Sequence, residues 1–278
     1  MESLHFLSTD VWTLVVSATR GANIISLRYK GRDILRPASE SSSDAFRFGS
    51  PILLPANRTD GGRFVFEGNE YRLPITHPEL GMNMHGLVNR SFFRLESLSN
   101  TEISLVLDAD ESIYPFCFRM KVTYTLRANS VKAEYQISNS SDRSMPYTFG
   151  LHTTFADVAT FSVPIDMSME RDERKLPTGR LLGLTEREKT FKSHGENTGS
   201  ISGYYLSSGQ IATVNKRVRF RVSASFDRWT LFSPDGCKYL CIEPQAGSVN
   251  GLNMNYRNYK LLRAGESHKY FWTITIRR

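Results

Sequence analysis

The chain has 278 residues, 40% of them hydrophobic and 23% charged, a composition that excludes a disordered chain and fits a globular protein. Thirty-five lysines and arginines against 28 aspartates and glutamates give a net charge of +7. The basic residues are scattered and no nucleic-acid-binding motif accompanies them, so we expect no nucleic-acid partner.

Apolar residues recur at every second position in most segments, which predicts strands rather than helices. In chain order, the clearest predicted strands are residues 12–17, 23–29, 64–66, 71–73, 118–126, 131–137 and 270–276. Their spacing and the turn residues between them predict a large all-β sandwich or barrel. No linker rich in Gly, Ser or Pro divides the chain, so residues 1–278 are expected to form a single domain.

Cysteine content and the first residues bear on the cellular compartment. Cys117, Cys237 and Cys241 are an odd, sparse set without CxxC spacing, which argues against a disulfide framework and a structural zinc site. The first sixteen residues lack a basic region, a cleavage site and a long apolar stretch. We therefore expect a cytoplasmic protein with no membrane partner.

Three short segments combine chemically active side chains with turn residues. The first, residues 81–87, places His85 against Gly86, and the second, residues 147–155, ends a predicted strand with His152. In the third, residues 239–245, an apolar strand delivers Glu243 directly before Pro244, which is expected to end regular strand pairing.

Glu243 is the most informative residue of these segments. It follows a mostly apolar strand, so we expect its side chain to be at least partly buried, where its charged form is disfavoured. Such a carboxyl is typical of a general base or of a structural ion pair, and the local sequence leaves both open. His5, His77, His194 and His268 are expected to be structural.

The sequence lacks the motifs that mark several other kinds of catalytic or binding site. The sequence contains no HExxH or His-x-His pair, so no metal site is predicted. Gly-x-Ser-x-Gly, P-loop and GxGxxG motifs are also absent from the sequence. A glycosidase needs two working carboxylates, and only Glu243 has a suitable setting.

An ordered series of short segments runs over nearly the whole chain: residues 49–58 (GSPILLPANR), 61–71, 84–87 (MHGL), 150–152 (GLH), 241–244 (CIEP) and 262–267, with Asn250 and Asn253. Taken together, these segments resemble the aldose 1-epimerase (galactose mutarotase) family.

The resemblance implies a single-domain, mostly antiparallel β-supersandwich like that of galactose mutarotase, and an isomerase that needs no cofactor. It also implies that Glu243 takes the proton of the anomeric hydroxyl while His152 protonates the ring oxygen. His85 and Arg58 would orient the sugar and polarise its oxygens, and Asn57 would hold the Arg58 loop.

The sequence departs from the family pattern at two places. Thr153 and Thr154 follow the second histidine, where the family commonly has Pro and an aromatic residue. Many members place an Asp on the sugar hydroxyls from a loop between the His and Glu motifs. The corresponding residues 195–205 contain Glu196 but no Asp, and Asp227 is the candidate substitute.

The leading hypothesis is thus an isomerase acting on the anomeric centre of a small-molecule sugar, as a monomer or homodimer. Arg58, Arg63 and Arg90 leave room for a phosphorylated or acidic sugar, although ordinary solvation explains exposed arginines equally well. The alternative is a carbohydrate-binding or sensing protein of the same fold without turnover. A lyase or glycosidase on a related sandwich is a third hypothesis.

Overall fold

The computed structural model describes residues 2–39, 46–255 and 258–277. Most of this chain is β-strand, as the period-two pattern predicts. In chain order the strands are β1 (Leu4–Ser8), β2 (Trp12–Ser17), β3 (Asn23–Tyr29), β4 (Arg32–Asp33), β5 (Ile52–Leu53), β6 (Arg58–Asp60), β7 (Arg63–Phe66), β8 (Asn69–Arg72), β9 (Met82–Met84), β10 (Arg94–Leu98), β11 (Glu102–Ala109), β12 (Phe118–Leu126), β13 (Ser130–Asn139), β14 (Met145–Tyr147), β15 (Phe149–Leu151), β16 (Thr154–Phe155), β17 (Thr160–Ser162), β18 (Met167–Arg171), β19 (Pro177–Leu182), β20 (Gly195–Glu196), β21 (Ile201–Leu206), β22 (Ile211–Val214), β23 (Val218–Val222), β24 (Arg228–Ser233), β25 (Leu240–Ala246), β26 (Lys260–Leu262) and β27 (Ser267–Ile276).

Helical structure in the described residues is limited to short turns. One α-helix, α1 (Glu186–Thr190), begins with a capping box in which Thr185 and Glu188 satisfy each other's backbone N–H groups. The 3₁₀ turns are Ala18–Arg20, Pro78–Leu80, Val88–Arg90 and Gly251–Asn253. None of the helices in the described ranges has the length and hydropathy needed to cross a bilayer.

Two large sheets carry most of the strands. The first has the order β10-β11-β12-β13-β27-β23-β22-β17-β20. The second has the order β19-β18-β21-β24-β25-β15-β5, with β16 also paired to β25. Strands β1 to β4 form a smaller sheet, and the ladders between named strands are antiparallel. The predicted strands pair with their neighbours in the chain, as the antiparallel hairpins β2–β3, β7–β8 and β12–β13.

The core lies between the two large sheets, where aromatic side chains from both meet. Phe149 of the second sheet packs against Tyr135 and Tyr270 of the first, with ring centroids 5.7 and 4.6 Å apart. Phe220 and Trp229 make a similar contact across the sheets at 6.1 Å. Each of these rings is buried. The mostly antiparallel β-supersandwich expected from the sequence is confirmed.

Strand β25 lies inside the second sheet, and its side chains point alternately to the core and to the opposite face of the sheet. Leu240, Ile242 and Ala246 belong to the core cluster. Because successive side chains of a strand point to opposite faces, Cys241, Glu243 and Gln245 lie on the face turned away from the core.

The prediction that Pro244 ends regular pairing is wrong. β25 continues through Pro244, which is paired with Trp229 of β24. The other neighbour of β25 is interrupted at this point, because β15 ends at Leu151 and β16 begins at Thr154. The Ile242 N–H points to this interrupted side, where it donates to Thr153 O. Residue 244 lies two positions further along the same strand, so its N–H would point to the same side. The N–H that Pro244 lacks is therefore missing where the pairing is already interrupted.

Candidate active site

A cavity of about 530 Å³ opens on the outer face of the second sheet. All five residues singled out from the sequence line it: Asn57, Arg58, His85, His152 and Glu243. They come from segments far apart in the chain, which the fold brings together at one place. Their proximity agrees with the expected roles, which remain predictions.

His152 and Glu243 are cross-strand neighbours. Gly150 faces Gln245 and Thr154 faces Cys241, so the same register places His152 opposite Glu243. His152 Nε2 lies 3.3 Å from Glu243 Oε1. Both residues are buried, with exposed fractions of 6% and 1%. The two side chains are therefore within reach of one proton at the base of the cavity.

Burial shifts the pKa values of this pair in opposite directions. Loss of solvation raises the pKa of the Glu243 carboxyl to about 8, against the opposing effects of the Arg58 charge and a hydrogen bond from Gln245. Loss of solvation lowers the pKa of His152 to about 4. Between these values the pair holds one proton, and in the empty cavity both side chains are neutral.

His85 is held by an unusual backbone conformation. Its φ is +67°, and its N–H donates to Asn57 O at 2.7 Å. Gly86 follows with φ +65°, and a Cβ there would lie 1.8 Å from Leu54 O. The His-Gly pair noted in the sequence is thus required by a backbone approach that excludes any side chain at position 86.

The His85 ring lies beside the proton-transfer pair. It meets the His152 ring edge to face at 5.4 Å and packs on Phe46 at 4.6 Å. Burial and then the charges of His152, Arg58, His77 and Arg90 keep the pKa of His85 well below its usual value. Neutral His85 can therefore donate a hydrogen bond from one ring nitrogen and accept one at the other.

Arg58 is anchored through one nitrogen. Its Nη1 donates to Asn57 Oδ1 at 3.0 Å and to the Tyr204 hydroxyl. The expectation that Asn57 holds Arg58 in place thus has a contact that supports it. Tyr204 is a cavity residue that the sequence did not single out.

Several polar atoms of the cavity-lining side chains have no hydrogen-bond partner among the described residues. Nδ1 of His85, Nδ1 of His152 and Nε of Arg58 are buried without a hydrogen bond. A buried polar group left unpaired costs about 1–3 kcal/mol. Such atoms are suited to the hydroxyl groups of a polar ligand, each of which both donates and accepts.

The expected substitute carboxylate is not at the cavity. Asp227 does not line it and instead binds Lys260 Nζ at 3.0 Å and Arg228 Nη1 at 2.7 Å. Glu196 is exposed on β20. Residues 195–205, where the family's Asp was expected, contribute Ser202 and Tyr204 to the cavity wall instead. The interpretation of Asp227 as a sugar ligand is therefore wrong.

Other lining residues were also not anticipated. His77, expected to be structural, lines the cavity, as do Phe46, Arg47, Thr76, Met84, Lys175, Thr230, Leu231 and Phe232. Arg90 lines it as well, whereas Arg63 is exposed on β7 outside it. Apart from Met84, the first residue of the MHGL segment, these residues belong to no recognisable motif. Some lie in loops and turns and others on the strands β9 and β24, so their positions become visible only in the fold.

One group of side chains could hold a metal ion. Within the described ranges, ligand atoms of His152, Cys241 and Glu243 lie within 4.8 Å of one another. Two of the three are the pair that shares a proton, and Cys241 Sγ is 3.4 Å from Thr154 Oγ1. An ion bound here would occupy the lone pairs that the pair uses for proton transfer.

The sequence profile of the aldose 1-epimerase family matches residues 8–275. The chain belongs to the aldose 1-epimerase family. A full-length relative, uncharacterized protein YihR of Escherichia coli K12, is 23% identical over 92% of this chain and 88% of its own. Galactose mutarotase of Rattus norvegicus is 31% identical, over 48% of this chain and 41% of its own.

Solved structures of aldose 1-epimerase relatives share the fold. A galactose mutarotase-like protein from Clostridium acetobutylicum superposes with a TM-score of 0.89 at 21% identity, covering 100% of this chain and 98% of the other. The GalM/aldose epimerase homologue from C. elegans gives a TM-score of 0.81 at 16% identity, covering 100% and 99%. At these identities the likeness establishes the fold of this family member.

Proposed function

We propose that the protein is an isomerase that interconverts the α and β anomers of an aldose or a sugar derivative. The observation that carries the proposal is the buried contact of 3.3 Å between His152 Nε2 and Glu243 Oε1 at the base of the cavity. The reaction needs a base and an acid on adjacent oxygens of one carbon, and a pair at this separation can serve both.

Ring opening moves two protons and breaks one bond. The Glu243 carboxylate takes the proton of the anomeric hydroxyl while the His152 imidazolium gives a proton to the ring oxygen. The bond between the anomeric carbon and the ring oxygen breaks, and its electron pair stays on the ring oxygen. Rotation about the neighbouring C–C bond presents the other carbonyl face, and the reverse transfers close the ring. No electrons are exchanged, so this chemistry requires no cofactor.

The low-polarity surroundings favour the products of the opening step. The reactive form holds a carboxylate and an imidazolium, and opening converts it into a neutral carboxyl and a neutral imidazole. Burial raises the pKa of Glu243 and lowers that of His152, which stabilises the neutral form. The two forms carry the same net charge, so the pair reaches the reactive form by moving its own proton.

The remaining residues act on the sugar and on the pair. Arg58 stabilises the Glu243 carboxylate, since its charge lowers the pKa of that carboxyl. His85, with its unpaired Nδ1 beside His152, would hydrogen-bond a ring hydroxyl. Asn57 would fix Arg58 through the contact of 3.0 Å.

The test is the rate of anomer interconversion, measured by NMR saturation exchange on neutral, phosphorylated and acidic aldoses. Glu243→Gln and His152→Gln should each lower kcat/KM by roughly 10²–10⁴-fold, the contribution of a positioned acid or base. Glu196→Gln and His194→Gln, which alter exposed residues of the same types, are the matched controls. Binding without acceleration of any sugar would contradict the proposal and favour a binding or sensing protein.

A further inference from the structure

The cavity wall carries an excess of positive charge. Arg58, Arg90 and Lys175 line it, as does Arg47, while Glu243 is the one carboxyl among the described lining residues. That carboxyl is buried and lies 3.3 Å from His152 Nε2, and it forms no ion pair with Arg90 or Lys175. The described wall therefore offers Arg90 and Lys175 no carboxylate partner.

The imbalance is local to the cavity. Arg174, next to Lys175 in the chain, has its Nη2 2.6 Å from Asp60 Oδ1. Lys175 faces the cavity and has no ion pair with a described residue, and the same holds for Arg90. Two adjacent exposed cations of one turn thus differ, because Arg174 is paired with Asp60 whereas Lys175 lines the cavity without an ion pair to a described residue.

The cationic side chains of the cavity wall differ in their contacts and in their exposure. Arg58 is bound to Asn57 and Tyr204 and acts on Glu243, so it belongs to the reacting end of the sugar. Arg90 packs over the Phe46 ring at 5.8 Å and, through its charge, helps to lower the pKa of His85. Arg90 and Lys175 line the cavity and are both exposed, whereas His152 and Glu243 are buried.

Building on the proposed isomerase, we propose that its substrate is an aldose carrying an anionic group, which Lys175 and Arg90 attract and bind away from the anomeric carbon. A phosphate or a carboxylate supplies the oxygens that these side chains bind through charge-assisted hydrogen bonds. A neutral aldose fills the same cavity but leaves both cations without a partner, so it binds more weakly.

The experiment compares matched sugars of one ring configuration: glucose, glucose 6-phosphate and glucuronate, and the corresponding galactose series. Exchange NMR gives kcat/KM for the wild type, and calorimetry gives Kd for Glu243→Gln, which binds without turnover. We expect an anionic sugar to exceed its neutral parent by roughly ten- to a hundredfold in both quantities, with a preference that falls as salt rises. The anionic sugar with the higher kcat/KM and the lower Kd identifies the preferred group as a phosphate or a carboxylate.

Lys175→Met and Arg90→Gln are the diagnostic variants. Each should reduce the ratio of anionic to neutral sugar by several-fold, and the larger reduction marks the residue that contacts the anion. Arg63→Gln, an exposed arginine outside the cavity, should leave that ratio unchanged. Circular dichroism and Tm verify that the variants are folded.

The outcomes separate the two proposals. Equal kcat/KM and Kd for neutral and anionic sugars, with turnover still lost in Glu243→Gln, would overturn the anionic substrate and leave the isomerase standing. Tighter binding of anionic sugars that depends on Lys175 or Arg90, without turnover of any sugar, would support the anion site and overturn the isomerase. A preference that neither variant reduces would also overturn the assignment to these residues.

Discussion

His152 lies opposite Glu243 in the gap between β15 and β16, in the register that the flanking pairs Gly150–Gln245 and Thr154–Cys241 set, and its Nε2 is 3.3 Å from Glu243 Oε1. The backbone of this gap is held in place, since the His152 N–H donates to Pro51 O at 2.9 Å. Leu240, Ile242 and Ala246 of β25 belong to the core between the sheets, whereas Glu243 lies on the opposite face and lines the cavity. The pair therefore sits on two anchored backbones rather than on flexible loops, which is the arrangement that positions an acid and a base most closely.

The activity should depend on pH as a bell-shaped curve. Below about pH 4 both members of the pair are protonated and the base is lost; above about pH 8 both are deprotonated and the acid is lost. A plot of kcat/KM, which reports the free enzyme, should show limbs near these values. The rate without enzyme is subtracted at each pH, and a profile still rising beyond pH 9 would contradict the shared-proton pair.

Glu243→Gln should stabilise the fold as pH rises. The pKa of Glu243 is raised from 4.5 in the unfolded chain to about 8 in the folded protein. Between these values the folded state binds more protons, so wild-type stability falls with rising pH. The variant has no such loss and should gain roughly 2–4 kcal/mol in free energy of unfolding at pH 8.

Thermal unfolding at pH 5 and pH 8 measures this gain. The difference in Tm between Glu243→Gln and the wild type should grow by several degrees from pH 5 to pH 8. The exposed Glu196→Gln should show no such trend. A constant difference at both pH values would mean that Glu243 is not desolvated in the folded state.

Tyr204→Phe should impair catalysis without affecting the fold. The phenol accepts a hydrogen bond from Arg58 Nη1, and Arg58 in turn lowers the pKa of Glu243. Loss of one hydrogen bond to a charged group costs about 1.5–3 kcal/mol, which corresponds to a loss in kcat/KM of roughly ten- to a hundredfold. Tyr204 is a positioning residue on this account.

The pH profile, compared between Tyr204→Phe and a control variant, distinguishes a positioning role of Tyr204 from a structural role. The alkaline limb of the pH profile should move to higher pH in Tyr204→Phe, because a loosened Arg58 stabilises the carboxylate less. Tyr205→Phe is the matched control, since its hydroxyl contacts Glu188 Oε1 at 2.9 Å, outside the cavity. An unchanged limb in both variants would argue against the link through Arg58.

Gly86→Ala should be far more damaging than Gly81→Ala. Both glycines have φ near +60°, so both substitutions carry a strain of about 1 kcal/mol. A Cβ at position 86 would also lie 1.8 Å from Leu54 O, whereas nothing lies within 4 Å at position 81. We expect a large drop in Tm, or no folded protein, only for Gly86→Ala, and similar Tm values for the two variants would contradict this packing.

The sequence predicts the strands well because each large sheet buries one face, and period two is visible without knowledge of the partner strand. The location of Glu243 and His152 at one cavity is also predictable, since each is a polar side chain that follows an apolar run, while their roles stay predictions. The continuation of β25 through Pro244 is not predictable, because it depends on a gap between two strands about ninety residues earlier in the chain.

Tyr204 and Lys175 show the other limit of the sequence. Tyr204 alternates with neighbours on an ordinary strand, and nothing local distinguishes it from Tyr205, which faces away from the cavity. Lys175 lies in a charged turn beside Arg174, and the sequence does not indicate which of the two finds an acidic partner. Their roles arise from contacts between segments distant in the chain.

The register that joins β15 and β16 to β25 also affects how the protein acquires its activity. A slip of one residue would turn every side chain of β25 to the opposite face, so Glu243 would enter the core and Ile242 would enter the cavity. A sheet in which β25 is out of register therefore cannot place Glu243 beside His152. During refolding, enzyme activity should therefore return together with this long-range pairing and later than the local hairpins, which makes catalysis a sensitive reporter of completed folding.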